Sequence, residues 1–412
     1  MASAPRWGEV GKESEVSGRP FLQIPGPTNV PERVLRAMDR AVPDHRGPEM
    51  PAVTGEIVSR LRGVFGTHAA EIVMYPGSGT AAWEASLTNT LSPGDRVLAF
   101  NIGHFSHLYA ECARRLGMVV DELESEWGSG PRLAALEDTL RGDREQAIRA
   151  VLVVHNETST GVTSRVGPIR HVLDNVGHPA LLLVDAVSSL ASIEFQFDAW
   201  AVDVALTAPQ KGLMLPPGMG ILAVSERALA ASQRATAPRY FLDWQPVIEQ
   251  LHRGYFPYTP ATLLLFGLRE ALRILDEEGL SAVYARHARL AEAVRAAVGQ
   301  WNLQILCRDP AEYSNTVTTI VVPVDADSDE VLRIADERFR LSLGVGLGKS
   351  KGRAFRIGHL GSLNELEVLA TIAGVELSLH GAGIPIRLGA GVAAAERLFA
   401  EPAPTAVRAM AS

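Results

Sequence analysis

The chain has 412 residues, of which 47% are hydrophobic and 21% are charged, and its formal net charge is −8. This length suggests two or three domains, and the composition is that of a folded chain rather than a disordered one. The acidic balance argues against nucleic acid and against anionic membrane surfaces as partners.

The cysteine content and the lengths of the apolar runs indicate in which cellular compartment the protein is expected. The two cysteines, Cys112 and Cys307, lie far apart and without CxxC spacing, so we expect neither a disulfide framework nor a thiolate zinc site. No apolar run approaches the roughly 20 residues of a membrane-spanning helix. The polar start does not resemble a signal peptide, and we expect residues 1–20 to form a flexible arm. A reducing cytoplasm is the expected location.

Alternating strand and helix patterns between about residues 70 and 225 predict βα units around a mainly parallel sheet, and therefore an α/β fold. The predicted helices are residues 106–116 and 166–175. The predicted strands are residues 97–101, 150–155, 180–187, 202–206 and 220–224. Several of these strands end in polar residues, and ligands of open α/β sheets bind beyond the carboxyl ends of strands.

Two long helices, at residues 261–278 and 283–298, are expected to connect this part to a smaller α+β domain. There we predict strands at residues 316–323 and 354–359 and helices at residues 329–340 and 363–379. Ser362 and Glu365 have the spacing of a capping box at the start of the last helix. The predicted division is a large domain over residues 21–279, a small domain over residues 280–400 and a tail over residues 401–412.

A glycine-rich turn, Gly77-Ser78-Gly79-Thr80, opens an alanine-rich helix. Backbone N–H groups at a helix start, together with hydroxyl groups, can bind a phosphate. Turns of this kind are common, so the motif gains weight only from its place upstream of Asp185 and Lys211. Further along, His155 to Gly161 supplies hydroxyl and amide groups directly after a strand. The alternative for this segment is a polar surface turn.

Asp185 ends an otherwise apolar strand, where a carboxylate is costly to bury unless it is paired. It could hold a pyridinium nitrogen protonated, or it could cap the following turn. Lys211 follows the next strand and is one of only four lysines in the chain. A desolvated lysine can form an imine with a carbonyl cofactor, and the alternative is an ordinary surface lysine. The two residues together indicate pyridoxal phosphate more strongly than either does alone.

Arg356 lies within an apolar strand, where its guanidinium group would bind either a substrate carboxylate or an internal acid. Two other patterns carry no prediction of a site. Residues 344–350 resemble a phosphate-binding Walker loop, but Leu343 occupies the position of its first glycine. His104, His107 and Glu111 could share a helix face, but we expect a structural role for them and no metal site.

These motifs, in this order, resemble the class V, fold-type I pyridoxal-phosphate aminotransferases. The resemblance covers residues 21–398 and is strongest to serine–glyoxylate and alanine–glyoxylate aminotransferases. The stretches that carry it are HNETSTGVTS, QKGLMLPPG, GYFPYTP, EEGL followed by YARHA, and FRIGHLGSLNELE. It implies a homodimer with shared active sites and pyridoxal 5′-phosphate as cofactor.

The resemblance also implies roles for individual residues. Lys211 would bind the cofactor as an imine and then move the substrate α-proton, and Asp185 would pair with the pyridine nitrogen. Val187 and Phe105 would flank the ring, and Thr158 would bind its hydroxyl group. The implied phosphate ligands are Gly79, Thr80 and Gln210 from one subunit, with Tyr258 and Thr259 from the other. Arg356 would bind the substrate carboxylate, and His45 and Arg46 of the other chain would line the substrate entrance.

The sequence departs from the family pattern at two points, where Ala208-Pro209 replaces Gly-Ser before Gln210-Lys211 and Ala186 replaces glycine after Asp185. Proline at position 209 removes one N–H group beside the cofactor. The expected reaction is amino transfer from a small L-amino acid, with serine favoured, to glyoxylate. The alternatives are aspartate, alanine or free pyridoxamine as donor, a lyase such as a cysteine desulfurase, and a scaffold protein without catalysis.

Overall fold

The computed structural model describes residues 19–402, so most of the predicted arm (residues 1–20) and most of the predicted tail (residues 401–412) lie outside the described residues. Between them the chain forms two separate β-sheets, of seven and five strands, and one short hairpin. No helix in this range is long and apolar enough to cross a membrane.

The strands of the described residues carry short apolar or β-branched runs that suit a pleated, buried surface. In chain order they are β1 (Phe21–Gln23), β2 (Glu71–Pro76), β3 (Arg96–Asn101), β4 (Val119–Glu124), β5 (Ile148–Val154), β6 (Asn156–Glu157), β7 (Val162–Thr163), β8 (Leu181–Asp185), β9 (Val204–Thr207), β10 (Met219–Val224), β11 (Gln304–Ile305), β12 (Val317–Val321), β13 (Leu341–Val345) and β14 (Ala354–Gly358).

The α-helices of residues 19–402 surround these strands. They are α1 (Glu32–Met38), α2 (Met50–Phe65), α3 (Gly79–Thr90), α4 (His104–Arg115), α5 (Leu133–Gly142), α6 (Val166–Val176), α7 (Glu226–Ser232), α8 (Trp244–Leu251), α9 (Thr262–Glu278), α10 (Leu280–Gln300), α11 (Ser328–Phe339), α12 (Glu365–Gly381) and α13 (Ala390–Ala400).

The seven-stranded sheet has the order β2-β10-β9-β8-β5-β3-β4. All its neighbouring pairs are parallel except those of β10, which runs antiparallel to both β2 and β9. The predicted α/β class with a mainly parallel sheet is therefore confirmed. Because β3, β5, β8 and β9 run in one direction, their carboxyl ends share one edge, and α3 and α4 pack on these strands. That edge is where polar residues follow the apolar runs.

The five-stranded sheet has the order β1-β13-β14-β12-β11 and its own hydrophobic core with α10 to α13. Its first strand comes from the start of the described chain, since Phe21–Gln23 pairs in parallel with Leu341–Leu343. The predicted large domain included residues 21–23, whereas their backbone hydrogen bonds are with the C-terminal sheet. The division at residue 279 stays a prediction.

The predicted helices and strands all occur, with ends displaced by a few residues. The largest displacement is at residues 283–298, where α10 begins three residues earlier, at Leu280, and ends at Gln300. The strand predicted at residues 180–187 ends at Asp185, where the chain leaves the sheet in a turn. The predicted capping box of Ser362 and Glu365 is wrong. Asn364 caps α12 instead, accepting from the N–H group of Glu367 at 3.1 Å while Glu367 accepts from the N–H group of Asn364 at 2.9 Å. The same motif therefore starts the helix two residues later, after the buried Leu363.

Two buried histidines are held neutral where α10 meets the strand β14. The Nδ1 atom of His287 bonds to the carbonyl oxygen of Val283, and its Nε2 atom accepts from the N–H group of Gly361. His359 lies between the carbonyl oxygen of Asn315 and the hydroxyl group of Thr318. Burial lowers the pKa of each imidazole to about 3. The unfolded chain therefore binds protons more readily than the folded one.

This difference predicts a loss of stability on acidification. Since the folded-state pKa is below the unfolded value of about 6.5, stability is full above pH 6.5 and falls towards pH 3, by roughly 1 kcal/mol per histidine between pH 7.5 and 5.5. Urea unfolding at these two pH values should show a smaller pH effect for His359→Gln than for the wild type. The control is His107→Gln, at an exposed position. An unchanged pH effect in His359→Gln would contradict the assignment.

Candidate functional site

A cavity of about 200 Å³ lies at the carboxyl ends of β5, β8 and β9, in front of the first turn of α3. Every predicted cofactor residue except Tyr258 and Thr259 lines it. The lining residues are Ser78, Gly79, Thr80, Trp83, Phe105, Val154, Asn156, Thr158, Asp185, Val187, Ser188, Gln210 and Lys211.

Lys211 lies in the loop after β9, and its ammonium group points into this buried region. Its Nζ atom donates to the carbonyl oxygen of Pro25. Burial lowers the pKa of this amine to about 8, the nearby Arg356 lowers it further and Asp185 opposes the shift. Roughly a tenth of the amine is therefore unprotonated at pH 7, far more than for an ordinary lysine, and the unprotonated amine is what nucleophilic attack on a carbonyl requires. The alternative of an ordinary surface lysine does not describe this position.

Asp185 ends β8 with its carboxylate inside the cavity wall, and only 4% of the residue is exposed. Its Oδ1 atom accepts from the N–H group of Val187 at 2.7 Å, and its Oδ2 atom accepts from Nε1 of Trp83 at 2.8 Å. Burial raises the pKa of this carboxyl group to about 6, while the two hydrogen bonds act to lower it. The interpretation of Asp185 as a cap of the following turn is confirmed by its bond from Val187. Its role towards a pyridinium nitrogen stays a prediction, although its carboxylate faces the cavity.

The first turn of α3 offers an unsatisfied anion site. Ser78 precedes the helix in an extended conformation, and no residue in 19–402 accepts from the N–H groups of Gly79 or Thr80. Gln210, whose side-chain amide can donate through its Nε2 atom, lines the same cavity. A β-carbon at position 79 would lie 3.0 Å from the side chain of Val187, so glycine permits this close approach. These free donors at a helix start fit a phosphate group.

The loop after β5 supports the opposite wall. The hydroxyl group of Thr158 donates to Oγ of Ser188 at 2.7 Å. Glu157, which we did not predict, is fully buried and accepts from the N–H groups of Phe105 at 3.3 Å and Ser106 at 2.9 Å. A carboxylate at the start of α4 satisfies donors that the helix cannot, and so fixes the position of Phe105. In the sequence, Glu157 is marked only as an acidic residue shortly after an apolar strand.

Arg356 reaches the same region from the five-stranded sheet. Its guanidinium group donates to the carbonyl oxygens of Val345 at 2.8 Å and Thr158 at 3.1 Å, and only 7% of the residue is exposed. Burial lowers the pKa of this group to about 10, which leaves it protonated at neutral pH. No carboxylate of the described residues forms an ion pair with it, so the alternative of an internal salt bridge does not hold. A buried cation without an anion fits a substrate carboxylate.

Four predicted residues lie away from the cavity of their own chain. Tyr258 is half-buried, and its ring contacts that of Phe241 in a tilted arrangement with centroids 4.7 Å apart. Its hydroxyl group donates to the carbonyl oxygen of Phe241, and Thr259 is exposed. Arg46 is exposed, whereas the Nε2 atom of His45 is buried without a hydrogen-bond partner in the described chain. These residues were predicted to act on the cavity of a second subunit, and that assignment stays a prediction.

The segment 25–28 closes the site over Lys211. Besides the bond from Lys211 to Pro25, the N–H group of Thr28 donates to the carbonyl oxygen of Gln210 and its hydroxyl to that of Lys211, both at 3.1 Å. Gly26 has a φ of +108°, and a β-carbon there would overlap the Lys211 side chain. We call residues 25–28 the strap. No local pattern relates it to a loop almost two hundred residues away.

Comparison with known proteins agrees with this geometry. The family described as "Aminotransferase class-V" matches residues 21–347. The serine–glyoxylate aminotransferase of Methylorubrum extorquens is 47% identical over 93% of this chain and 97% of its own length. The L-aspartate–glyoxylate aminotransferase of Paracoccus denitrificans is 42% identical over 91% and 95%. The crystal structure of pyridoxamine–pyruvate aminotransferase from Mesorhizobium loti has a TM-score of 0.87 at 27% identity, covering 93% of this chain and 98% of that one.

The strap predicts a specific requirement for glycine at position 26. Gly26→Ala should slow the borohydride-trapped reaction of Lys211 with pyridoxal phosphate at least about tenfold, because the new methyl group occupies the space of the amine. Gly94→Ala is the matched control, since Gly94 also has a positive φ (+89°) but open space at its β-carbon. Equal trapping rates in the two variants, measured by mass spectrometry of the Lys211 peptide, would contradict the requirement for glycine at position 26.

Proposed function

The chain belongs to the class-V aminotransferase family, and on this basis we propose that it transfers the amino group of a small L-amino acid, with serine favoured, to glyoxylate, giving glycine and a 2-oxo acid. It is an aminotransferase with pyridoxal 5′-phosphate as cofactor. The observation that carries the proposal is that Lys211 and Asp185 line one cavity while the guanidinium group of Arg356, which has no ion-pair partner in the described chain, contacts the backbone of Thr158 in its wall.

The free groups of the cavity fit this cofactor. The N–H groups of Gly79 and Thr80, with the Gln210 amide, would bind its phosphate group. Val187 and Phe105 would flank the ring from two sides of the cavity. When bound, the protonated pyridine ring withdraws electrons from the substrate α-carbon.

The residues of this chain would then control protons. The Asp185 carboxylate would hold the proton on the ring nitrogen, and the Thr158 hydroxyl, whose hydrogen goes to Ser188, would accept from the ring hydroxyl group. The Lys211 amine, whose pKa of about 8 lies close to neutral pH, would remove the proton from the substrate α-carbon. It would then return this proton to the cofactor carbon that is bonded to the transferred nitrogen. Its bond to the Pro25 carbonyl would orient it while it is not bound to the cofactor.

Arg356 distinguishes the candidate donors. A guanidinium group with no internal acid is satisfied by an α-carboxylate, and free pyridoxamine carries none, so amino acids are favoured. Lys211, the single cation among the described residues that line the cavity, would be bound to the cofactor. The neighbouring Arg356 is then left to bind one carboxylate, which suits a donor such as serine or alanine. Aspartate would need Arg46 of a second subunit, and the Paracoccus relative named for aspartate keeps this donor as the second candidate.

The lyase alternative finds no support at the site. A cysteine desulfurase needs a reactive thiol near the substrate, and neither Cys112 nor Cys307 lines the cavity. Burial raises the pKa of both thiols to about 12, so both are protonated at neutral pH. Both cysteines are free thiols, in keeping with our proposal of a reducing, cytoplasmic location.

We further propose a homodimer in which each site is completed by the partner chain. The buried and unpartnered Nε2 atom of His45 supports this, as do large apolar side chains exposed beside the four distant residues. Val42 is 69% exposed near His45, and Tyr240 and Phe241 are 90% and 42% exposed beside Tyr258.

A half-reaction assay tests the donor. Serine should convert the absorbance of the lysine-bound cofactor faster than alanine, aspartate or pyridoxamine, and glyoxylate should restore it. Arg356→Ala should lower kcat/KM for every amino acid by about 100-fold or more, because a charge-assisted bidentate contact is lost. Arg353→Ala is the control, since Arg353 is exposed just before the same strand. An aspartate preference of about tenfold, roughly 1.4 kcal/mol, would replace serine by the second candidate.

Hybrid dimers test the shared site. A hybrid of Lys211→Ala with His45→Ala/Arg46→Ala should have one intact site and about half the wild-type activity, provided that each parent dimer is inactive. The control hybrid combines Lys211→Ala with Arg356→Ala. If these two residues serve one chain's site, both of its sites are defective and no activity returns. Differently tagged, co-expressed chains allow purification of each hybrid. Equal activity in the two hybrids would contradict the proposed division between subunits.

A further inference from the structure

The buried indole of Trp83 contacts the carboxylate on which the cofactor ring depends. We propose that Trp83 is a positioning residue, which holds the Asp185 carboxylate ionised and turned towards the ring nitrogen of the bound cofactor. The inference rests on the cofactor site proposed above, and it assigns to Trp83 a role that we did not expect from the sequence.

Each carboxylate oxygen of Asp185 already accepts one hydrogen bond from the protein, and the side that faces the cavity is left for the cofactor. Oδ1 of Asp185 accepts from the N–H group of Val187, and Oδ2 accepts from Nε1 of Trp83 at 2.8 Å. A carboxylate oxygen can accept more than one hydrogen bond, so each oxygen keeps capacity for a ring N–H. Without the indole, Oδ2 would be a buried anionic oxygen with no donor from the described chain, which is costly.

The indole itself is held in one orientation. Its ring stacks on Tyr109, with centroids 5.4 Å apart and planes inclined by 18°. The Tyr109 hydroxyl contacts Oγ of Ser86 at 2.9 Å, and Ser86 donates to the carbonyl oxygen of Trp83 at 2.8 Å. All three residues are buried. The donor therefore points at Asp185 before any cofactor arrives, and rotation of the carboxylate would break both of its hydrogen bonds.

The charges around Asp185 show why this donor matters. Burial and the nearby Glu157 raise the pKa of the carboxyl group, and the hydrogen bonds from Val187 and Trp83, with the Lys211 charge, lower it. The phenol of Tyr109, which also faces Asp185, has a pKa raised far above neutral by its own burial and stays uncharged. Only proline at position 187 would remove the backbone donor, and it would also replace the Val187 side chain that lines the cavity. Trp83 is therefore the member of the pair whose donor can be removed without changing the turn.

The test compares two tryptophans that make the same kind of bond. Trp83→Phe keeps an aromatic ring against Tyr109 and removes the N–H donor. Trp301→Phe removes an equivalent bond, from Nε1 of Trp301 to the buried carboxylate of Glu376 at 3.0 Å in the core of the five-stranded sheet. For each apoprotein, the dissociation constant of pyridoxal phosphate is measured by absorbance titration between pH 5.5 and 8, and the melting temperature is recorded.

In the wild type, affinity should fall as Asp185 becomes protonated. Trp83→Phe should move the onset of this fall upward by about one pH unit, because a hydrogen bond to a charged group is worth about that much. At pH 8, where the carboxylate is ionised in both proteins, its affinity should stay within a few-fold of the wild type. Trp301→Phe should lower the melting temperature without moving the pH profile.

Superimposable pH profiles for Trp83→Phe and the wild type would overturn the proposal, as would an equal shift in Trp301→Phe. If Trp83→Phe does not fold, Trp83→Leu removes the same donor with a smaller side chain and must show the same shift. Asp185→Asn separates this outcome from a failure of the proposed function. It should weaken binding and lack the fall in affinity that Trp83→Phe shifts, while the effect of Lys211 protonation stays common to all variants. A wild type that binds no pyridoxal phosphate would instead remove the cofactor site itself.

Discussion

The site depends on the buried carboxylate of Asp185, because the surrounding elements must supply hydrogen-bond donors to it. An anion at the end of an apolar strand is tolerated only where donors converge on it. The turn after β8 supplies one donor from Val187, and α3 supplies the other from Trp83. Because Trp83 lies one turn into α3, the same placement brings the free N–H groups of that helix start to the cavity. The need to stabilise the Asp185 anion therefore positions both Asp185 itself and the N–H groups at the start of α3, which lie at two ends of the cavity.

The second requirement is that two sheets meet at a defined distance. Arg356 belongs to the five-stranded sheet, yet its guanidinium group donates to the carbonyl oxygen of Thr158 in the loop after β5. The same seam is held by Asn156, which donates to the hydroxyl of Thr316 at 2.9 Å, and by Ser314, whose N–H group donates to the carbonyl oxygen of Gly161 at 2.9 Å. A cation for the substrate and a hydroxyl for the cofactor are therefore positioned by one set of contacts.

The sequence was informative where function depends on local pattern. Apolar runs ending in Asp185, or followed by Lys211, locate residues at one sheet edge because parallel strands share their direction. The sequence was uninformative where function depends on contacts between residues that are far apart in the chain. Trp83 has the periodicity of an ordinary core residue, and its N–H donor is detectable only once Asp185 is beside it. The strap meets Lys211 through contacts across nearly two hundred residues, and the capping box was misplaced because two overlapping segments satisfy one pattern.

The strap also has a mechanical consequence. It follows directly after β1, which belongs to the five-stranded sheet through its pairing with β13, and it supplies the acceptor for the amine of Lys211. Arg356 lies in β14, next to β13 in that sheet. A rigid displacement of this sheet would therefore carry the carboxylate clamp and the lysine's acceptor together. Binding of a substrate carboxylate by Arg356 and release of the Lys211 amine from Pro25 are therefore geometrically linked.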